Sequence, residues 1–158
     1  MRRRAAVILA GVALCVGASA IHPFGRVKGS SAEPLLNGAS IDGVSLERLR
    51  ESCGNCHSEQ AQWPWYSYVA PASWLVEKDV SEARAHMDLS RWGRYTSEER
   101  IMLLTAIGAV MRTDAMPPKR YRVLHPEAAL SGAERQALYE WAQGARAAER
   151  AKVGVVGR

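Results

Sequence analysis

The amino-acid sequence predicts an all-α protein with long loops, and three observations support this fold class. Apolar residues recur at helical spacing in several segments between residues 45 and 150. Two of these segments begin with a capping box, the Ser/Thr-x-x-Glu pattern that satisfies the first backbone donors of a helix. No segment shows the apolar–polar alternation of a half-buried β-strand. With 158 residues, of which 47% are hydrophobic, the chain can form one packed domain together with additional segments.

The first 21 residues are typical of an export segment. Three arginines, Arg2–Arg4, precede an almost wholly apolar run, and Ala18-Ser19-Ala20 has the small–x–small form of a signal-peptidase site. The apolar run from Ala5 to Ile21 also reaches the lower limit of a membrane-spanning helix, about 17 residues. We therefore expect residues 1–21 to be either a signal peptide or an N-terminal membrane anchor. In both cases the rest of the chain is expected in the periplasm, as a soluble protein or anchored to the inner membrane by its N-terminus.

The charge of the chain argues against a nucleic-acid-binding protein. The formal net charge is +5, but three of the positive charges are the arginines of the export segment, so that +2 remains for the rest. Domains that bind nucleic acids carry a pronounced basic surface. We therefore expect no nucleic-acid partner.

Residues 22–44 are expected to be a linker and residues 45–150 the folded domain. The linker segment is rich in Gly, Ser and Pro, as flexible connections are. From Ser45 onward, helical spacing predicts a short helix that runs directly into Cys53. Residues 61–72 contain two prolines and four aromatic residues, a composition that predicts an ordered loop rather than a helix.

Three further helices are predicted after this loop. A serine, Ser73, is the candidate N-cap of the first, and the capping boxes open the other two. The prolines Pro117 and Pro118 end the middle helix, because a helix cannot continue through them. The expected bounds are Ser73 to about Met87, Thr96 to about Thr113, and Ser131 to about Glu149.

Residues 53–57 read Cys-Gly-Asn-Cys-His, the C-x-x-C-H pattern of c-type haem attachment. In such sites the two thiols add to the vinyl groups of the porphyrin, and the following imidazole ligates iron from below the ring. A disulfide or a thioredoxin-like redox pair is an alternative, because exported cysteines meet an oxidising compartment, but such a C-x-x-C belongs to a βαβ pattern that is absent from this sequence. A zinc site is another, with His125 as a possible fourth ligand. We predict one haem c, attached through Cys53 and Cys56 and ligated by His57.

The second axial ligand of the iron is predicted to be Met116. It lies in a loop just after a helix, and the two prolines that follow keep this loop out of helical structure. Packing of Met116 as a hydrophobic residue in the loop is the alternative. The other methionines and histidines downstream of residue 21 are expected to pack in the core or to fill other polar roles: Met87, Met102, Met111, His22, His86 and His125.

The chain resembles the haem-binding domain family of small exported bacterial proteins. The resemblance rests on CxxCH-S at 53–58, Trp63-Pro64-Trp65-Tyr66-Ser67, Ala70-Pro71, Ser73-Trp74-Leu75, Asp79-Val80, Met116-Pro117-Pro118, Tyr121 and residues 124–131. The chain departs from the family at Ala83-Arg84 and at residues 88–90, where the family tends to have Gly-Arg and Asn-Phe-Ser. The order of a helix, CxxCH, a long loop, Met-Pro and a last helix is also similar to class I cytochromes c. The resemblance implies a cytochrome c-like domain that binds haem, and it leaves the physiological role open.

By analogy with cytochromes c, the aromatic residues after the CxxCH motif are expected to wall the haem. Their N–H and O–H groups would reach its propionates, although an ordinary aromatic core is the alternative. The residues concerned are Trp63, Trp65, Tyr66 and Trp74. The carbonyl of Pro71 is expected to accept a hydrogen bond from the proximal imidazole and so to orient it.

The predicted function is one-electron transfer by a monohaem c-type cytochrome. A His/Met ligand pair keeps the iron six-coordinate and raises its reduction potential. We recognise no catalytic acid, base or nucleophile, so an enzyme is not expected. The expected partners are periplasmic or membrane redox proteins, met through small transient interfaces, with a possible membrane tether through residues 5–21. A haem-based sensor or gas-binding module, with a labile or open distal position, is the alternative.

Overall fold

The structure, a computed structural model, describes residues 2–28 and 33–156. Within these ranges the chain forms helices and loops and contains no β-strand, which confirms the all-α prediction. The helices are α1 (Arg2–Ala18), α2 (Gly43–Leu49), α3 (Asn55–His57), α4 (Ala72–His86), α5 (Ser97–Thr113), α6 (Lys119–Leu124) and α7 (Gly132–Val156). A π-helical segment, Arg50–Gly54, joins α2 to α3, and short 3-10 turns occupy Trp65–Tyr68, Leu89–Arg94 and Pro126–Ala128.

Both predicted capping boxes form, and they begin α5 and α7. The hydroxyl of Thr96 accepts a hydrogen bond from the N–H of Glu99 at 3.2 Å, and the carboxylate of Glu99 accepts one from the N–H of Thr96 at 2.7 Å. Ser131 and Glu134 make the same reciprocal pair. Ser73, by contrast, is not an N-cap, because α4 begins one residue before it and encloses its buried hydroxyl.

The hydrophobic core lies between α5 and α7, which make the most extensive contact between helices in the described ranges. Leu104 and Ile107 of α5 belong to one buried cluster with Leu138 and Ala142 of α7. The burial of each large aliphatic side chain contributes about 1.5–3 kcal/mol. The helix α7 extends beyond the predicted Glu149 because the residues that follow, mainly Ala, Arg, Lys and Val, include no proline that would end it.

The helix α1 is not part of this core. None of its residues is buried, and all side chains from Arg2 to Leu14 are exposed. Its C-terminal end is joined to the domain through Ser19, whose hydroxyl oxygen accepts a hydrogen bond from the N–H of Ala70 at 2.9 Å. In the part of the chain that the structure describes, no helix combines the length and the apolar character needed to cross a membrane.

The segment predicted to be a linker packs against the domain. Arg84 donates a hydrogen bond to the carbonyl oxygen of Val27 at 2.6 Å, and Leu35 and Leu36 are buried in the core. This corrects the linker prediction for residues 22–28 and 33–44; residues 29–32 lie outside the described ranges. The Gly, Ser and Pro content of a segment indicates flexibility of the free chain, whereas these two leucines find cover from water only in the folded domain.

Candidate functional site

A cavity of about 430 Å³ lies between the cysteine-containing segment and helices α4 to α7. Its volume is within the range of about 300–1,000 Å³ that is typical of small-molecule and cofactor sites. Cys53, Cys56, His57 and Met116 all line it, so that the fold brings together the four residues predicted to hold haem and iron. Most of the remaining wall is apolar and consists of Leu49, Ala83, Met87, Leu89, Ile107, Val110, Met111, Pro117, Pro118 and Leu138.

The imidazole of His57 is oriented by the chain that follows α4. Its Nδ1 lies 3.0 Å from the carbonyl oxygen of Met87 and donates a hydrogen bond to it in the Nδ1–H tautomer. Burial lowers the pKa of His57, and hydrogen bonds to the backbone of Met87 and Ala83 oppose this effect. A neutral imidazole whose Nδ1 is already bonded leaves Nε2 as the nitrogen that can bind a metal.

Pro71 does not orient this imidazole, contrary to the prediction. The carbonyl oxygen of Pro71 accepts hydrogen bonds from the N–H groups of Trp74 and Leu75, at 3.2 and 3.4 Å. Because Pro71 is the N-cap of α4, its carbonyl is used by the first turn of that helix. The acceptor for His57 comes instead from Met87, directly after the opposite end of α4.

The two cysteines of the motif are free, half-buried thiols. Burial raises the pKa of Cys53 to about 12 and also raises the pKa of Cys56. The thiolate is the reactive form in disulfide exchange, so these thiols are poorly suited to a redox pair. The zinc alternative also lacks support: within residues 2–28 and 33–156, no group of three His, Cys, Asp or Glu side chains is arranged to hold a metal ion. The imidazole of His125 is instead hydrogen-bonded to the side chains of Tyr66 and Glu127.

Met116 lies in a short connection that is held on both sides. The helix α5 ends at Asp114, which has φ of 53°, in the left-handed region that Asp tolerates better than most residues. The carboxylate of Asp114 accepts hydrogen bonds from Arg122 at 3.1 Å and from Arg135 at 3.2 Å. Pro117 is buried on the other side. The side chain of Met116 lines the cavity while 37% of its surface is exposed, which places it at the cavity mouth.

The aromatic residues predicted to wall the haem do not line the cavity. The loop that carries them packs against the segment after α1 and against the chain after α6. The indole Nε1 of Trp74 donates a hydrogen bond to the carbonyl oxygen of Ile21 at 2.9 Å. The hydroxyl of Tyr66 lies 2.5 Å from Nε2 of His125.

The remaining two aromatic residues of that prediction, Trp63 and Trp65, also lie away from the cavity. The ring of Trp63 contacts the charged groups of Lys28 and Arg84, at 5.6 and 5.9 Å from its centroid. Trp65 is 79% exposed. The structure therefore does not place these four rings at the wall of the cavity. A run of aromatic residues indicates that rings tend to be covered, but not which surface covers them.

Tyr121 of α6 lines the cavity and was not among the predicted site residues. Its ring stacks on that of His125, with centroids 4.3 Å apart. Its hydroxyl oxygen accepts a hydrogen bond at 3.0 Å from Nδ2 of Asn55, which lies between the two cysteines. The six-residue helix α6 is too short for a hydrophobic period to reveal it, so only the resemblance to the family singled out this tyrosine.

Polar groups at the cavity were also missed. The hydroxyl of Ser52 is buried, lines the cavity and has no hydrogen-bond partner among the described residues. Such a group is expected to gain a partner from a bound molecule or water. At the rim, Arg120 donates two hydrogen bonds to the carboxylate of Asp79, at 2.8 and 2.9 Å. Two thiols, an oriented imidazole, a thioether and an apolar wall together fit a haem.

Comparisons with known proteins agree with this chemistry. The model of a family described as "Haem-binding domain" matches residues 19–144. Over 145 residues the chain is 29% identical to "Cytochrome c peroxidase Ccp" of Escherichia coli (strain K12), an alignment that covers 88% of this chain and 31% of that protein. The chain thus spans about a third of the length of this curated relative. No solved structure matches the chain.

Proposed function

The chain belongs to the haem-binding domain family, and from that premise we propose that it is a monohaem c-type cytochrome that transfers one electron at a time in the periplasm. One observation carries this proposal: Cys53, Cys56, His57 and Met116 line a single, mainly apolar cavity. Haem binding follows from the family. Covalent attachment, His/Met ligation and electron transfer are what the proposal adds.

Cys53 and Cys56 would hold the cofactor through thioethers. Each S–H would add across one vinyl group, with an S–C bond formed, the hydrogen passed to the neighbouring carbon, and no oxidant needed. The thiols are three positions apart at the junction of the π-helical segment with α3, and both line the cavity. When bound, haem supplies a one-electron iron couple.

His57 and Met116 set the properties of that couple. His57 would hold iron through Nε2, and the hydrogen bond from its Nδ1 to Met87 fixes the ring and raises its basicity as a ligand. The thioether of Met116 would hold the iron as well and would raise its reduction potential. The apolar wall excludes water and thereby also influences the potential.

An electron carrier fits these residues better than an enzyme does. If both His57 and Met116 held the iron, no position on it would remain for a substrate. The relative named as a peroxidase is about three times as long as the aligned region, so its activity is not transferred to this chain. We propose periplasmic or membrane redox proteins as partners, with residues 1–21 directing export.

The mass and the optical spectrum of protein exported by a host that attaches c-type haem test the proposal. We expect a mass larger than that of the polypeptide by one haem, and a pigment that stays with the protein in acidic organic solvent. We also expect the weak long-wavelength band of ferric iron bound to methionine. A colourless product would contradict haem binding, and pigment lost on extraction would contradict covalent attachment.

A haem-based sensor or gas-binding module is the second candidate, and the partial exposure of Met116 favours it. A thioether at the mouth of the cavity is easier to displace than a buried one. Carbon monoxide added to the reduced protein distinguishes the two functions. An immediate spectral shift supports a sensor, whereas an unchanged spectrum supports an electron carrier.

A further inference from the structure

Large apolar side chains are exposed along α1 and on the part of the domain to which the end of α1 is joined. The large apolar side chains of α1, from Val7 to Val16, are 56–73% exposed. Five more large apolar side chains near the end of α1 are 41–59% exposed. We call these five residues the collar: Ile21 and Phe24, which follow α1, and Tyr68, Val69 and Leu75 of the domain. The proposed electron transfer does not use this surface.

Two hydrogen bonds join the end of α1 to the domain beside the collar. The hydroxyl oxygen of Ser19 accepts a hydrogen bond from the N–H of Ala70 at 2.9 Å, and the carbonyl oxygen of Ile21 accepts one from Nε1 of Trp74 at 2.9 Å. Ala70 directly follows Val69 in the chain, and Trp74 directly precedes Leu75. The chain after α1 is therefore hydrogen-bonded to Ala70 and Trp74, the immediate neighbours of the collar residues Val69 and Leu75.

A third link involves a buried carboxylate. Nδ1 of His22 lies 2.6 Å from Oε1 of Glu77, a residue that is only 2% exposed. The other carboxylate oxygen of Glu77 has no hydrogen-bond partner in the described ranges. Loss of His22 would leave this buried carboxylate without its nearest partner, which is unfavourable. Together, the three contacts fix the position at which α1 joins the domain.

We propose that the collar lies in the lipid–water interface of a membrane, with α1 inserted in the bilayer beside it. This proposal rests on the export that the proposed function includes. A helix that is apolar on all sides needs apolar surroundings on all sides, and a bilayer provides them, whereas a groove on a partner protein covers one face. Arginines at one end and aromatic residues at the other are the groups that membrane helices carry at their two interfaces. Here these groups are Arg2–Arg4 and the Tyr68 and Phe24 of the collar.

Taken alone, α1 is too short to cross a bilayer, and this shortfall is why the collar has to take part. Its 17 residues extend about 25 Å along the helix axis, whereas the hydrocarbon core of a bilayer is about 30 Å thick. When the collar lies inside the lipid–water interface, the junction between α1 and the domain sits deeper in the bilayer. The long side chains of Arg2–Arg4, at the other end of α1, can then extend to the headgroups of the opposite leaflet. A short apolar helix also draws its flanking residues inward and thins the bilayer locally.

Photocrosslinking in the membrane tests this placement. The full chain is exported with p-benzoylphenylalanine in place of Tyr68 or Leu75, and in separate samples in place of Val123 or Leu124. The latter two are matched controls, because they are exposed apolar residues of α6 that do not belong to the collar. After irradiation of isolated membranes, mass spectrometry measures the lipid adduct on each labelled peptide and the mass of the intact chain.

We expect lipid adducts at positions 68 and 75 that are at least tenfold more abundant than those at positions 123 and 124, on a chain that retains α1. Equal adducts at all four positions, adducts at none, or a chain that lacks residues 1–20 would each overturn the proposal. The haem spectrum of the same membranes reports on the proposed function separately. A normal spectrum with no difference between collar and control positions would refute the membrane contact alone.

Discussion

The wall of the cavity and the aromatic loop come from adjoining stretches of the chain, yet they differ in how they are used. Residues 53–57 bring two thiols and an imidazole to the cavity. Residues 63–66, only a few positions later, contribute nothing to its wall and instead contact the segment after α1 and the chain after α6. A motif whose chemistry is complete within five residues can therefore be recognised from sequence, whereas the position of a group of aromatic rings depends on the surface that covers them.

The two regions therefore have different consequences for the protein. A change in the cavity wall alters the surroundings of the cofactor as well as the packing of the core. A change in the aromatic loop alters single hydrogen bonds, each of which contributes about 0.5–1.5 kcal/mol. We expect the first kind of change to alter the haem spectrum and the second kind to alter only stability. Four predictions test this contrast, beginning with the largest effect.

Replacement of both motif cysteines, Cys53→Ser with Cys56→Ser, is expected to abolish covalent haem entirely, because no thiol remains to form a thioether. Mass spectrometry and extraction into acidic organic solvent measure this. Cys15→Ser is the matched control and keeps its haem, since Cys15 lies in α1. Recovery of covalently bound pigment from the double variant would rule out thioether attachment.

Met116→Ala is expected to remove methionine ligation and lower the reduction potential by on the order of 0.1 V or more, within the span of about 0.8 V over which axial ligands set haem potentials. Redox titration and the long-wavelength band of the ferric protein measure the two effects. Met102→Ala is the control, because this exposed methionine of α5 does not line the cavity. If Met116→Ala retains the wild-type spectrum, Met116 is not the ligand.

Leu89→Ala and His22→Ala compare the cavity wall with the segment that follows α1 and packs beside the aromatic loop. Leu89 is fully buried and lines the cavity, so its truncation is expected to lower the free energy of unfolding by about 2–5 kcal/mol and to change the haem spectrum. His22→Ala removes the hydrogen-bond partner of the buried Glu77 carboxylate. It is expected to lower the free energy of unfolding by about 1–3 kcal/mol and to leave the haem spectrum unchanged. Denaturant unfolding, followed by circular dichroism and by haem absorption, measures both. A spectral change in His22→Ala would show that the segment after α1 is coupled to the cavity.

Tyr121→Phe and Tyr66→Phe make the same chemical change on either side of His125. Tyr121→Phe removes the hydroxyl that is hydrogen-bonded to Asn55, and Tyr66→Phe removes the one that is hydrogen-bonded to His125. Each change is expected to lower the free energy of unfolding by on the order of 1 kcal/mol. Only Tyr121 lines the cavity, so only Tyr121→Phe is expected to shift the reduction potential. Equal shifts in both variants would mean that the stacked Tyr121–His125 pair transmits the change from Tyr66.

Much of the fold could be predicted from local patterns. The capping boxes at Thr96 and Ser131 begin α5 and α7 because side chain and backbone within four residues complete each other's hydrogen bonds. The helix α6 could not be predicted in this way, since it has only six residues. The burial of Leu35 and Leu36 depends on the distant α5 and α7, so composition alone indicated a linker.

At the site, the residues of the CxxCH motif and the Met-Pro-Pro connection were recognised from sequence, and the structure places them at one cavity. Only the tertiary structure decided that Met87, and not Pro71, accepts the hydrogen bond of His57. It also decided that the segment after α1 provides the hydrogen-bond acceptor for Trp74. The physical reason is range. Spacing along a helix is a property of neighbouring residues, but a hydrogen-bond acceptor or an apolar cover is whichever group the whole fold brings within reach.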